Sequence, residues 1–335
     1  MAFLGSKTGS DGIPKMMFTA SKDWTPAVTY EAMVYVIGAG GSGAMNARAT
    51  ASYGASGGGA GGCAVSRLML NASSTYVITI GVGGRSSMTA SGGQGSAGTN
   101  TTFVCSAESI SITGTGGGGG VNSNSGSSKG VGGTPTGGNI ANYKGGDSIA
   151  TPNDKVSGGG AVGLFDVGLA GANVADDSAY QEKALGDGGN LHGSMGGASY
   201  GSTEPDYMYH SSVQNPPLAM APFGDITASI SGNNNRTTGT TYSLDSFRDN
   251  QQMFSEGGNY HHRSSTYKQV APSGPFAGGN GIVNTKSGVE YLTGGFATLG
   301  GGGGGACNEI SVGTAEAQGG HGGRGVVLIF PLSVA

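Results

Sequence analysis

Charged residues are scarce in this chain of 335 residues: only 11% are Asp, Glu, Lys or Arg, and the formal net charge is -4. A protein that binds nucleic acid needs a basic surface, which this balance does not provide. Disordered chains, in turn, are usually rich in charge and poor in hydrophobic residues. The composition therefore argues against a nucleic-acid partner and favours an ordered chain.

Cysteine, proline and long apolar runs are also rare. Cys63, Cys105 and Cys307 are widely spaced and match no CxxC pattern, which predicts reduced thiols rather than a disulfide framework. No apolar run approaches ~18 residues, so we expect no membrane insertion. The first residues show neither the basic start nor the apolar core of a secretory signal peptide. With only 11 Pro and no Gly-X-Y period, a collagen helix is excluded as well.

Glycine is abundant: 71 of the 335 residues are glycine, against a usual share of about 7%. Each glycine in a regular element costs roughly 0.5–1 kcal/mol relative to alanine. A chain bears that cost only where a side chain cannot be accommodated, as in positive-φ turns or where backbones pack against each other. We therefore expect extended polyglycine II segments or tight turns that lie side by side and bond through their main chains.

Strand patterns alternate with the glycine tracts, and no 3.6-residue apolar period is sustained. Only residues 179–185 suggest a helical turn. The apolar run 326–330 must pair with another strand. We predict that it joins 33–37 in one sheet and so ties the ends of the domain together. The predicted strands are 32–37, 63–70, 76–80, 101–104, 109–113 and 326–330.

The chain divides by composition into an arm and one domain. Residues 1–17 are polar and turn-rich, which suits an N-terminal attachment arm or, equally, an ordered terminus. Residues 18–335 form a glycine-rich β domain, and the role of 121–200 within it stays open. Between 201 and 275 glycine thins out, and tyrosine and histidine cluster in a Ser/Thr/Asn background.

The insertion 201–275 is the best candidate for a binding surface. Antibody loops use the same residues, because tyrosine gives a large contact area at low entropic cost while Ser, Gly and Asn adapt their hydrogen bonds. The alternative is a local core that replaces absent aliphatic residues. Under the binding interpretation the contact residues are Tyr207, Tyr209, His210, Tyr242, Phe247, Tyr260, His261 and Tyr267.

Catalytic and cofactor motifs are weak. Residues 38–43 read G-x-G-x-x-G after a strand, but a dinucleotide site also needs a helix and an acidic residue about 20 positions on, and none lies between Glu31 and Glu108. Adjacent histidines such as His261 and His262 point to opposite faces of an extended chain, which suits a metal poorly. No serine elbow has credible partners. We expect no enzyme, no cofactor and no metal.

Several segments resemble the glycine-rich domain of bacteriophage tail fibre and tail tip proteins. Residues 18–26 and 34–41 resemble its opening, 76–84 its second strand, 95–103 its hairpin and 322–329 its closing strand. The matched pieces cover most of 18–120 and 300–332. Their order and spacing are more specific than any single motif. The related tip adhesins stack polyglycine helices into a sandwich and display variable loops at the distal end.

The resemblance, with the composition, implies an all-β, glycine-rich β-sandwich-like domain with packed polyglycine II segments and long surface loops. It implies an adhesin at the tip of a phage tail or fibre that binds a bacterial surface receptor, an outer-membrane protein or a glycan, through 201–275. Residues 1–17 would hold other fibre proteins, either as a homotrimer or as a monomeric cap. Such a protein is a virion component assembled in the host cytoplasm. The alternatives are a structural virion protein that contacts only other virion proteins and a polysaccharide depolymerase.

Overall fold

The computed structural model describes most of the two ends of the sequence and less of its middle. All structural statements refer to residues 2–8, 14–47, 54–89, 91–123, 128–150, 156–164, 166–168, 170–171, 199–202, 260–262, 267–270, 276, 278–279, 281–284, 291–297, 299–308 and 316–334.

Regular structure in these residues is almost entirely β, as predicted, with one short 3-10 helix at Ser106–Glu108. The strands are β1 (Ala2–Thr8), β2 (Pro14–Phe18), β3 (Lys22–Trp24), β4 (Tyr30–Ile37), β5 (Met45–Asn46), β6 (Gly54–Ala55), β7 (Cys63–Leu70), β8 (Tyr76–Thr79), β9 (Thr101–Cys105), β10 (Ile110–Gly114), β11 (Asn122–Ser123), β12 (Ala141–Tyr143), β13 (Ser199–Ser202), β14 (Tyr260–His262), β15 (Tyr267–Val270), β16 (Gly281–Asn284), β17 (Tyr291–Thr293), β18 (Ala306–Asn308), β19 (Glu316–Gln318) and β20 (Val326–Val334).

Two sheets form a sandwich at one end of the molecule. The larger sheet has the order β1-β2-β20-β4-β7-β12 and the smaller one the order β10-β9-β8-β3. The predicted pairing of the first and last strong strands is confirmed, since Val326 lies opposite Ile37 and Ile329 opposite Val34. The predicted hairpin is confirmed too, because β9 and β10 pair with Phe103 opposite Ile112.

Both faces of the larger sheet are buried. Successive residues of a strand point to opposite faces, so Val34 and Val36 of β4 pack into the core between the two sheets, and Tyr35 and Ile37 pack into a second core on the other side. The first core is rich in aromatic residues. Their ring centroids lie 5.6, 5.7 and 5.1 Å apart along the series Phe18, Trp24, Tyr76 and Phe103.

Much of the predicted attachment arm belongs to the larger sheet. β1 is its edge strand and pairs with β2, and Met16 of β2 lies opposite Ile329 of β20. Met16 and Met17 are buried, one in each core. The attachment role of 1–17 stays a prediction, but its strands are part of the domain rather than separate from it.

Beyond the sandwich, glycine tracts pack as a bundle around a central tract, 38–47. The N–H groups of this tract bond to three neighbouring tracts in rotation, with N···O distances of 2.8–3.2 Å. The acceptors are Gly62, Thr99, Gly323, Gly59, Ser96, Gly320, Ser56 and Gly93, for the donors 38 to 45 in order. The repeat of three residues is that of a polyproline- or polyglycine-II helix.

The carbonyl groups of the central tract accept from three further tracts, so six neighbours surround it. Gly117 donates to Ala39, Gly84 to Gly40 and Gly303 to Gly41. Two of these tracts donate again three residues further along, Gly120 to Ser42 and Ala306 to Ala44. The predicted side-by-side packing of main-chain-bonded polyglycine segments is therefore present. The G-x-G-x-x-G segment, 38–43, is itself the first part of this extended tract and not the turn before a helix that a dinucleotide site needs.

The close approach of these backbones explains the glycine content. At Gly41 an added Cβ would lie closer than 3.0 Å to the carbonyl group of Gly118, and at Gly43 to that of Gly304. Buried serine hydroxyls also accept main-chain N–H groups between the tracts. The Ser56 hydroxyl accepts from the Val121 N–H at 2.8 Å, and the Ser157 hydroxyl accepts from the Gly57 N–H at 3.0 Å.

Candidate functional site: the outer end of the bundle

The central tract leads away from the sandwich and its neighbour leads back. β4 continues into 38–47, and 54–62 continues into β7. Between the two tracts the hydrogen bonds Gly38–Gly62, Gly41–Gly59 and Ala44–Ser56 run in antiparallel order. At ~3.1 Å per residue, the nine steps from residue 38 to 47 span about 28 Å. Residues 47 and 54 therefore lie at the end of the bundle remote from the sandwich, which we call the outer end.

Four further pairs of tracts reach the same end. Their pairing is antiparallel in the same way, and bridges such as Met45–Gly93, Ala55–Val156 and Thr89–Ala317 join the ends to each other. The pairs are 81–89 with 91–100, 114–123 with 128–137, 144–150 with 156–164, and 299–308 with 316–325. The chain segments that join the outer ends are 48–53, residue 90, 124–127, 151–155 and 309–315.

Short strands and side-chain amides tie the tracts together at the outer end. Two four-stranded sheets form there, with the orders β13-β16-β18-β5 and β14-β15-β17-β19. The Asn122 amide donates to the Met45 carbonyl at 2.7 Å, and Asn308, which is fully buried, donates to the Glu316 carbonyl at 3.3 Å. These contacts fix the spacing of the tract ends, so the joining segments start from a rigid base.

Three of the eight predicted binding residues lie on strands of the outer end. Tyr260 and His261 are on β14, opposite Val270 and Gln269 of β15, and Tyr267 begins β15. β15 runs parallel to β17, with Tyr267 next to Tyr291. The other five predicted residues lie outside the described residues, namely Tyr207, Tyr209, His210, Tyr242 and Phe247.

The shorter joining segments are candidate contacts that the sequence analysis did not single out. Segment 48–53 carries Arg48 and Tyr53, 151–155 carries Asp154 and Lys155, and 309–315 carries Glu309. A signal for them is present in the sequence, since each joins two glycine tracts through a short stretch with little or no glycine. The pattern becomes informative only once alternate tracts are known to run in opposite directions.

A charge cluster on the flank of the bundle has a structural role. Lys144 and Lys129 contact the two carboxylate oxygens of Asp147 at 2.7 and 2.9 Å, and the Gly132 N–H donates to the same carboxylate at 2.8 Å. Burial acts to raise the pKa of Asp147, but these hydrogen bonds outweigh it and hold the pKa below its usual 3.8. The carboxylate therefore stabilises the packing of 128–137 against 144–150.

We expect Asp147→Ala to lower the free energy of unfolding by about 2 kcal/mol at pH 7, because hydrogen bonds to charged groups are worth about 1.5–3 kcal/mol. Since folding lowers the pKa, the carboxylate's contribution is complete well above 3.8 and is lost as the pH falls below that value. Urea unfolding of both proteins at pH 7 and pH 3 measures this. A difference that stays as large at pH 3 would contradict the assignment.

Other kinds of site find no support in the described part of the chain. No three His, Cys, Asp or Glu residues there come together as metal ligands. Cys63, Cys105 and Cys307 are buried and form no disulfide, and burial raises the pKa of the Cys63 thiol. In the same residues no helix is long and apolar enough to cross a membrane.

The comparison with known families agrees with the architecture. The family model described as a glycine-rich domain matches residues 19–330, which takes in β3 to β19, the first part of β20 and the tracts of the bundle, but not β1 and β2. None of the curated proteins compared with the chain matches it. This protein belongs to the glycine-rich domain family.

Proposed function

We propose that this protein is an adhesin at the tip of a phage tail or tail fibre, and that it binds a bacterial surface receptor with the outer end of its bundle. The observation that carries the proposal is that five pairs of tracts end together at the outer end, about 28 Å from the sandwich. Loops held on a rigid base lose little conformational entropy when they bind. The resemblance to tail fibre and tail tip domains supplies the class of target, an outer-membrane protein or a glycan.

The two ends of the molecule differ, which supports a separate contact for each. The sandwich contains both β1 and the last strand, β20, while the tyrosine-rich segment is connected to strands of the outer end. We propose that the sandwich end contacts other fibre or tail proteins, with residues 1–17 contributing. The outer end then faces the host.

The test is the binding of fluorescently labelled protein to a panel of bacterial strains. We expect saturable binding to some strains and at least a tenfold loss of affinity when Tyr207, Tyr209, Tyr242 and Tyr260 are changed to Ala. A second variant, Arg48→Ala with Tyr53→Ala, tests the short joining segments in the same way. Loss of aromatic contacts from an interface is costly because such residues carry much of the binding energy.

The matched control is Val28→Ala with Val77→Ala, which changes two exposed side chains of the sandwich, 47% and 46% exposed. This control should bind as the wild type does. Loss of binding in the control alone would place the contact at the sandwich end. A folded protein that binds no strain infected by its own particle would overturn the adhesin proposal in favour of a structural virion protein.

A further inference from the structure

His321 lies where three tracts of the bundle meet. Its own tract is fixed on both sides, since Gly320 donates to Gly304 at 2.7 Å and Gly322 donates to Gly84 at 2.9 Å. Its ring stacks on Phe296, with 4.6 Å between the ring centroids and 18° between the planes. The Ser86 N–H donates to its Nδ1 at 3.1 Å. The imidazole therefore joins 294–297 and 81–89 to 316–325.

The outer half of tract 81–89 is bonded mainly to the tract of His321. Ser86 accepts from the Gly319 N–H with its hydroxyl at 3.1 Å and from the Gln318 side chain with its carbonyl at 2.8 Å. Thr89 and Ala317 exchange two backbone bonds at 2.9 and 3.0 Å. In the described residues these contacts, with the imidazole bond, hold 85–89 against the tract of His321.

The bond at Nδ1 fixes the protonation state of the ring. An Nδ1 atom that accepts an N–H has no proton, so the neutral ring carries its proton on Nε2. A second proton on Nδ1 would turn this acceptor into a donor that points at the Ser86 N–H. The hydrogen bond is then lost, and the two N–H groups repel each other.

The surroundings of the ring also oppose a positive charge. Among the described residues, Arg85 is the charged group that acts on the ring, while tracts 38–47, 294–297 and 299–308 contain no charged residue. Burial in the first place, and Arg85 in the second, lower the pKa of His321 below its usual 6.5. Contact of a cation with the Phe296 ring offsets part of this cost but does not restore the bond to Ser86.

We propose that His321 is an acid-sensitive latch whose protonation releases segment 85–89 from the bundle. The direction of this pH dependence follows from the lowered pKa of His321. Because the unfolded or released state takes up the proton more readily, the latch is closed above pH 6.5 and weakens as the pH falls below that value. This proposal does not depend on which receptor the outer end binds.

The test is amide hydrogen exchange of the full-length protein at several pH values, corrected for the intrinsic rate. We expect the protection of 84–90 to fall at least tenfold between pH 7.5 and pH 5, while that of 57–62 changes little. His321→Asn places an amide oxygen near the position of Nδ1 and cannot titrate, so its protection at 84–90 should not depend on pH. His321→Phe lacks the acceptor and should show, at both pH values, the lower protection that the wild type has at pH 5.

Two results would overturn the latch. One is wild-type protection at 84–90 that does not change with pH. The other is a loss of protection in His321→Asn that equals the wild-type loss. If neither variant folds, NMR titration of the His321 ring in the wild type decides the question, because exchange at 84–90 must rise with the protonation of that ring and with no other histidine.

Discussion

A chain without residues 326–335 is expected not to fold. β20 lies inside the larger sheet, between β2 and β4, so its removal leaves the edges of both strands without partners. Its side chains enter both cores: Val326, Leu328 and Phe330 one, and Val327 and Ile329 the other. All five are at most 8% exposed.

The expected loss is as large as the stability of a typical domain. Burying a large apolar side chain contributes about 1.5–3 kcal/mol, so five contribute roughly 8–15 kcal/mol. Whole domains are stable by only about 5–15 kcal/mol. The measurement is circular dichroism together with fluorescence of Trp24, the single tryptophan, which is packed between Phe18 and Tyr76 in the sandwich core.

Leu332→Ser is the control for this deletion, because Leu332 belongs to the same strand but is 39% exposed. This variant should keep its cooperative unfolding transition. A soluble protein without 326–335 that still unfolds cooperatively would show that the sheet closes without β20, and the predicted role of the last strand would be wrong.

The sandwich was predictable from the sequence because its strands carry side chains that identify them. The β-branched runs at 32–37 and 326–330 are the best matched pair in the chain, and they lie side by side over their whole length. The hairpin of β9 and β10 was predicted for the same reason. Side chains that fill a core determine both the position and the register of such strands.

The order of the tracts in the bundle was not predictable, because a glycine backbone carries no side chain that selects a neighbour. The sequence indicated that glycine tracts would pack together, but not that 38–47 would be central or that 299–308 would lie beside it. The same reason hides the roles of the buried serines. Ser56 faces the N–H of Val121 only because of its place in the three-residue rotation.

The sequence predicted the residue types of the candidate site better than it predicted which segments form it. Aromatic residues pointed to 201–275, and three of the eight chosen residues lie on outer-end strands. The short joining segments were not identified, because a break in glycine such as 48–53 becomes informative only once alternate tracts are known to run in opposite directions. Their importance comes from the topology, which brings distant segments to one end of the bundle.

Gly117→Ala is expected to lower the free energy of unfolding by about 3 kcal/mol, at the upper end of the usual cost of overpacking. The new Cβ would lie closer than 3.0 Å to the carbonyl oxygens of Gly59 and Ala60. Tract 54–62 cannot retreat, because Gly59 donates to Gly118 and accepts from Gly41, both at 2.9 Å. The clash can be relieved only by breaking main-chain hydrogen bonds in the bundle.

Gly118→Ala is the matched control, one residue away in the same tract. Its Cβ would have the backbone N and O atoms of Val131 as its nearest neighbours, at 3.2 and 3.3 Å, a contact that a shift of a few tenths of an ångström relieves. Both substitutions restrict the unfolded chain to the same degree, by about 0.4–1 kcal/mol. The difference between them therefore measures the clash in the folded bundle.

The comparison uses urea unfolding, followed in parallel by circular dichroism and by Trp24 fluorescence. We expect the midpoint of Gly117→Ala to fall well below that of Gly118→Ala with both probes, because the tracts continue directly into the strands of the sandwich and the two parts unfold together. Equal midpoints would mean that the tracts can separate enough to admit a methyl group. A shift seen by circular dichroism but not by Trp24 would mean that the bundle unfolds apart from the sandwich, and the rigid connection between the two ends would then be lost.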